Sequence, residues 1–120
     1  ITLGGDGDPL DCFVICDYPL YPLTVLQARP IGIIPTIDNG EEDNKIVLVP
    51  ISDPYMKNIT EIEQIPQLKI DRVVQFLNQY KFLERKTVNT KPIEDSFSAK
   101  KELQRALKQY ADTFGTPEDL

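Results

Sequence analysis

The placing of the prolines constrains this chain more than any other feature. Five of the ten, at 19, 22, 30, 35 and 50, sit at the margins of short apolar, β-branched runs in the first 50 residues. Proline has no N–H for a helix interior or a central ladder, so this half reads as short strands with brief connections. The expected strands are 12–16, 24–28, 31–37 and 45–49, with Pro35 marking a bulge or an edge. Strands at this spacing point to a small barrel or a sandwich.

After Pro50 the apolar period lengthens. Residues 59–64 read as a short turn of helix. Pro66 fits the first position of a helix, where a missing N–H costs nothing. Ile70, Val73, Val74, Leu77, Lys81 and Glu84 then follow at helical spacing. A second helix is expected over 99–113, carrying Leu103, Ala106, Leu107 and Tyr110 and stopped by Gly115. The tail 116–120 is expected to fray. With 120 residues and no internal repeat, the chain is expected to be one α+β, mainly β domain with a modest core.

Charge and composition narrow the chemistry. Nineteen Asp and Glu against 13 Lys and Arg give a net charge of -6. A surface this acidic does not suit nucleic acid or anionic lipid, both of which need basic groups. No apolar run approaches the roughly 20 residues that span a bilayer, and no charged-then-apolar leader opens the sequence. The absence of histidine excludes Ser-His-Asp and Cys-His nucleophile pairs and the usual His-containing zinc sites. Chemistry here must run on carboxylates, lysines, tyrosines and metal ions. On one strand Cys12 and Cys16 would lie about 13 Å apart, too far for a disulfide. They are expected as buried thiols of a reducing compartment. The opening Ile1-Thr2-Leu3-Gly4-Gly5 has no initiator methionine, so the natural N-terminus is expected to be absent.

Two acidic segments stand out. The first, Asp6-Gly7-Asp8-Pro9-Leu10-Asp11, directly precedes a strand. Asp, Gly and Pro are common turn formers, but a turn needs one Asp, and three carboxylates within six residues repel one another. Its spacing does not fit a calcium loop, because Asp11 takes the place reserved for glycine. The second segment, Asp38-Asn39-Gly40-Glu41-Glu42-Asp43-Asn44-Lys45, lies between two expected strands. Asn39-Gly40 is a hairpin turn signal; it does not account for the acids around it or for the lysine at the mouth of the next strand. Either segment alone is more often a turn than a site. If both met at one rim, their carboxylates would need Mg²⁺ or a similar hard cation. Tyr80-Lys81 at a helix exit would by itself be an ordinary helix C-terminus. Together these groups suit phosphoryl chemistry, which rests on positioning and charge neutralisation and needs no histidine.

These residues carry a resemblance. Gly5-Asp6-Gly7-Asp8-Pro9-Leu10-Asp11 resembles the D-x-D-P-x-D signature of the soluble family I inorganic pyrophosphatases. The likeness continues, in order and in spacing, through Arg29-Pro30-Ile31-Gly32, Asp38 to Asp43-x-Lys45, Val49-Pro50 and Tyr80-Lys81-x-Leu83-Glu84. It is dense over residues 4–90 and looser in the last helix. It implies a five-stranded OB-like barrel with flanking helices, here incomplete at its N-terminus, and two C-terminal helices packed against it. It also implies that Asp6, Asp11 and Asp43 bind activating metal, and that Asp38 shares with Asp43 a metal arriving with substrate. Asp8 resembles the general base, and Lys45, Tyr80 and Lys81 resemble phosphate-binding groups. The implied reaction is Mg²⁺-dependent hydrolysis of pyrophosphate to two phosphates, with Mn²⁺ or Zn²⁺ as substitutes, in a cytoplasmic homohexamer.

The departures are equally specific. The family carries, upstream of the signature, a glutamate, a Lys-x-Glu pair, an arginine and two tyrosines that complete the site; this chain contains none of them. It therefore resembles the C-terminal portion of such an enzyme and is expected to be weak or inactive alone. The usual Pro-Gly is replaced by Pro22-Leu23, and the tryptophan often found near Lys86 is missing. The alternative is a non-catalytic module that binds divalent metal or phosphate, or that serves to oligomerise.

Overall fold

The computed structural model describes residues 1–83 and 88–115, with only the backbone described at 81–83, 88 and 89. The order of elements is β1 (Cys12–Val14), β2 (Ala28–Ile34), β3 (Thr36–Asp38), β4 (Glu41–Glu42), β5 (Lys45–Pro50), a 3-10 turn (Ile62–Gln64), α1 (Gln67–Leu83), β6 (Val88–Thr90) and α2 (Ser96–Phe114). The strands form two three-stranded sheets, ordered β1-β5-β2 and β4-β3-β6. The mainly β fold with two helices is as expected, and among the described residues the strands do not close into a barrel.

Pro35 explains the division into two sheets. The expected single strand 31–37 breaks there: β2 pairs antiparallel with β5, and β3 pairs with β4 and β6. Having no N–H, Pro35 cannot continue the ladder, but its carbonyl accepts from the Lys91 N–H at 2.9 Å. Pro30 lies inside β2, and the register slips between Pro30 and Gly32, the kind of irregularity where a strand tolerates proline. The pair Asn39 and Gly40 takes positive φ at both residues, 51° and 83°, and Asp38 faces Glu41 across it. That is the expected two-residue hairpin turn.

The β1-β5-β2 sheet is covered on both faces, which is why β5 is almost continuously apolar. One face carries Ile31, Ile34, Val47 and Val49, packed with Ile70 and Leu77 of α1. The other carries Ile33 and Ile46 against Ala99 of α2. Helix α1 begins at Gln67, so Pro66 is the residue before the first helical position; its carbonyl accepts from Lys69 N–H at 2.9 Å. Helix α2 begins three residues earlier than expected, because Asp95 caps it by accepting from the Ser98 N–H at 3.0 Å. The Glu61 carboxylate also accepts from the N–H and the hydroxyl of buried Ser96. Gly115 ends α2 at φ 87° with its N–H on the Ala111 carbonyl, as expected. Leu107 is exposed and not inward-facing, since Ala99 and Ala106 carry the packing face.

The Asp95 cap has a pH signature. Backbone and hydroxyl hydrogen bonds from Ser98 hold its carboxyl below the usual carboxylate value of 3.8. A group lowered on folding stabilises fully above its unfolded value and loses that contribution as pH falls through the folded one. Asp95→Asn should therefore flatten the acid limb of the stability curve below about pH 4. Urea midpoints measured from pH 7 to pH 2.5 check this.

The expected strand 24–28 is absent apart from Ala28. The Thr24 N–H and hydroxyl both turn back to the Tyr21 carbonyl, and Val25 is left exposed. The turn holds Leu23 at φ 68° with its side chain fully exposed. An L-residue there costs about 1–2 kcal/mol and Leu23 buries nothing in return. Leu23→Gly relieves this strain and loses part of the gain to unfolded-chain entropy. The expected result is a thermal midpoint about 2–4 °C higher by calorimetry.

Candidate functional site

The site begins with a turn that presents acids. Gly4 N–H donates to the Asp8 carbonyl at 2.7 Å, and Gly7 N–H to the Gly4 carbonyl at 3.1 Å. Gly7 sits at φ 84°, in the left-handed region open to glycine. Within this turn the Asp6 carboxylate accepts from the Asp8 N–H at 3.0 Å. The turn is tied to α2, with Leu3 N–H on the Ala106 carbonyl and Gln109 Nε2 on the Gly4 carbonyl. A Cβ built on Gly5 would lie 3.0 Å from the Glu42 side chain. That close approach brings the first acidic segment against β4, which belongs to the second.

Strand pairing joins the two segments more tightly. β1 lies parallel to β5, with Cys12 opposite Ile46, and Ile46 N–H donates to the Asp11 carbonyl. Asp11 therefore lies beside Lys45, the first residue of β5. Asp43 is fixed from the other side, its N–H on the Thr36 carbonyl at 2.9 Å. Lys45 Nζ then lies 2.9 Å from Asp11 Oδ2 and 2.6 Å from Asp43 Oδ2. The lysine side chain is 4% exposed, the Asp43 side chain 12% and the Asp11 side chain 72%. Burying an amino group this deeply is costly, and two adjacent carboxylates compensate it.

Beside this cluster is a cavity of about 270 Å³ lined by Asp11, Cys12, Phe13, Lys45, Phe76, Leu77 and Tyr80. Three of the sequence-derived site residues, Asp11, Lys45 and Tyr80, thus share one wall, and Asp43 joins them through Lys45. Asp6 and exposed Asp8 lie in the adjoining turn, and Asp38 is half-buried at the end of β3. The side chain of Lys81 lies outside the described residues. Among the described residues no three acidic or thiol side chains form a ready cation cage. A hard cation nevertheless suits this spot: the donors are carboxylate oxygens, and the place between Asp11 and Asp43 already holds a positive charge.

Cys12 and Cys16 are free thiols, as expected, but neither is buried: Cys12 is exposed and Cys16 half-buried. β1 ends at Val14, and Cys12 starts it at the cavity wall. Desolvation, and next the nearby Asp11 charge, raise the Cys12 thiol above its ordinary value, so it stays protonated at neutral pH. Sequence reasoning missed Phe13 and Phe76. The available signal was the i, i+4 aromatic spacing of Phe76 and Tyr80.

Comparison with known proteins identifies the family. The family model described as inorganic pyrophosphatase matches residues 1–111. An inorganic pyrophosphatase of Mycoplasma genitalium is 41% identical over 111 residues, covering 92% of this chain and 60% of that protein. One of Halalkalibacterium halodurans is 38% identical over 109 residues, covering 91% and 67%. Among solved structures, the inorganic pyrophosphatase of Helicobacter pylori superposes with a TM-score of 0.85 at 35% identity, covering 91% of this chain and 66% of that one. That of Thermus thermophilus gives 0.85 at 31%, covering 91% and 64%. The chain thus spans roughly three fifths to two thirds of the length of these relatives. No helix of the described residues is long and apolar enough to cross a membrane. From the turn of acids to the last helix, the chain belongs to the inorganic pyrophosphatase family.

Proposed function

We propose that these 120 residues form the carboxylate-rich, C-terminal portion of an inorganic pyrophosphatase that hydrolyses pyrophosphate to two phosphates. The observation that carries this reading is the Asp11–Lys45–Asp43 cluster beside a cavity shared with Tyr80. Asp6, Asp11 and Asp43, with Asp38 sharing a second position with Asp43, would hold Mg²⁺, or Mn²⁺ or Zn²⁺ in its place. When bound, such ions neutralise phosphate charge and acidify water. Asp8, exposed to solvent on a rigid turn, accepts the proton of the attacking water. Lys45, Tyr80 and Lys81 hold phosphate oxygens and stabilise the charge that develops on them. By the same family likeness the working form is a cytoplasmic homohexamer.

The test is phosphate release from pyrophosphate by this chain, with Mg²⁺ and with EDTA. Metal-dependent release supports the enzyme reading. No release leaves the family in place and makes this chain an inactive portion of the enzyme. Mg²⁺ binding is then measured before a module that only binds metal or phosphate, or that serves to oligomerise, is preferred. Binding is read independently of turnover, as a rise in melting temperature with metal concentration.

A further inference from the structure

Three aromatic rings form a chain along the cavity wall. Phe76 and Tyr80 lie one turn apart on α1, with ring centroids 6.0 Å apart and planes at 19°, a stacked pair. On its other side Phe76 meets Phe13 of β1 edge-on, at 6.5 Å and 88°. Both are favourable geometries for aromatic pairs. Phe76 nonetheless remains 58% exposed and Tyr80 48%, so burial of apolar area alone does not account for the arrangement. All three rings line the cavity that also contains Lys45 and Asp11.

We infer that Phe76, braced by Phe13, is a positioning residue that holds the Tyr80 ring in the orientation its hydroxyl needs to meet a phosphate oxygen. This rests on the reading of Tyr80 as a phosphate-binding group. Tyr80 is 48% exposed, so burial does not by itself select one of its staggered χ1 rotamers. A ligand that needs one orientation must otherwise select it at the moment of binding, at a cost in affinity. Stacking on Phe76 selects it beforehand, and the edge of Phe13 keeps Phe76 from turning away. Phe76 itself has no group that can donate to phosphate, so its whole effect passes through Tyr80.

The probe is methylene diphosphonate, a pyrophosphate analogue that does not hydrolyse, titrated with Mg²⁺ into the 120-residue chain and followed by calorimetry. Phe76→Leu should weaken binding by about threefold to tenfold, and Phe76→Tyr, which keeps the ring, should restore it to within about twofold. Tyr80→Phe should weaken binding at least as much. Adding Phe76→Leu to Tyr80→Phe should cost nothing further, because the residue acts only through the hydroxyl. Ring-proton NMR gives a readout independent of binding: the Tyr80 resonances should move toward solvent-exposed values in Phe76→Leu and stay in place in Phe76→Tyr. Unmoved Tyr80 resonances in Phe76→Leu would overturn the inference, as would a Phe76→Leu loss of equal size with and without the Tyr80 hydroxyl. Tyr80→Phe binding as tightly as the parent, or a parent that binds no diphosphonate, would instead overturn the phosphate-binding reading and the inference with it.

Discussion

Lys45→Met should be the most destabilising single change at this site, lowering stability by about 3 kcal/mol and the melting temperature by about 10 °C. The expectation follows from where the ammonium lies. Lys45 is buried, and its charge is matched by Asp43 at 2.6 Å and Asp11 at 2.9 Å. Removing one member of a buried ion pair typically costs about 3–5 kcal/mol, because the remaining charge keeps its desolvation penalty and loses its partner. Here the two carboxylates differ. Asp11 is mostly exposed, so water and salt already screen it and its share is small. Asp43 is nearly buried, so the loss centres there and falls at the low end of the range. Two further results separate this account from mere loss of packing. Asp43→Asn combined with Lys45→Met should recover most of the stability, since the charge left behind is gone. Mg²⁺ should raise the melting temperature of Lys45→Met more than that of the parent, because a cation can then take the place of the ammonium. Loss of stability that neither Asp43→Asn nor Mg²⁺ changes would mean that Lys45 matters only as an apolar stem.

How much of this was legible in the sequence depended on the range of the interactions. The Asn39-Gly40 turn was readable because its conformation is set by two adjacent residues that tolerate positive φ. The stop at Gly115 was readable for the same reason. The break at Pro35 was only half readable. Proline announced an irregularity, but β3 takes as a partner β6, 50 residues away in sequence, whose three residues are too few to read as a strand on their own. The expected strand 24–28 had the right composition and fails over 24–27 because no described strand pairs with those residues, so Thr24 turns back on Tyr21. Pro22-Leu23 showed as a departure from the family pattern, and the structure gives it a physical meaning in the positive φ of Leu23. At the site, the carboxylates and Lys45 were visible as a dense run of charge. What no local pattern could show was that β1 would lie parallel to β5 and so bury Lys45 between Asp11 and Asp43. The cysteines failed similarly: apolar neighbours suggested burial, and the short β1 left Cys12 at a cavity mouth.

In the enzyme that contains this portion, Asp8→Asn should lower turnover by about 10²–10⁴-fold while leaving the Mg²⁺-induced rise in melting temperature nearly intact. The substitution is close to isosteric, and two backbone hydrogen bonds fix this residue in the turn. Its carbonyl accepts from Gly4 N–H at 2.7 Å, and its N–H donates to the Asp6 carboxylate at 3.0 Å. The turn therefore keeps its shape, and Asp6, Asp11 and Asp43 keep theirs. The variant loses only a carboxylate oxygen able to take a proton, which an amide oxygen does not do at neutral pH. Asp11→Asn is the contrasting case. It weakens the pair with Lys45 and removes a charged oxygen from the place where a cation would bind, so turnover and the Mg²⁺ response should fall together. Measured side by side, with phosphate release for rate and calorimetry for metal binding, the two variants separate a proton acceptor from a ligand. If Asp8→Asn instead lost the Mg²⁺ response in proportion to rate, Asp8 would be a metal ligand, and the proton would have to leave through another of the carboxylates on the same turn.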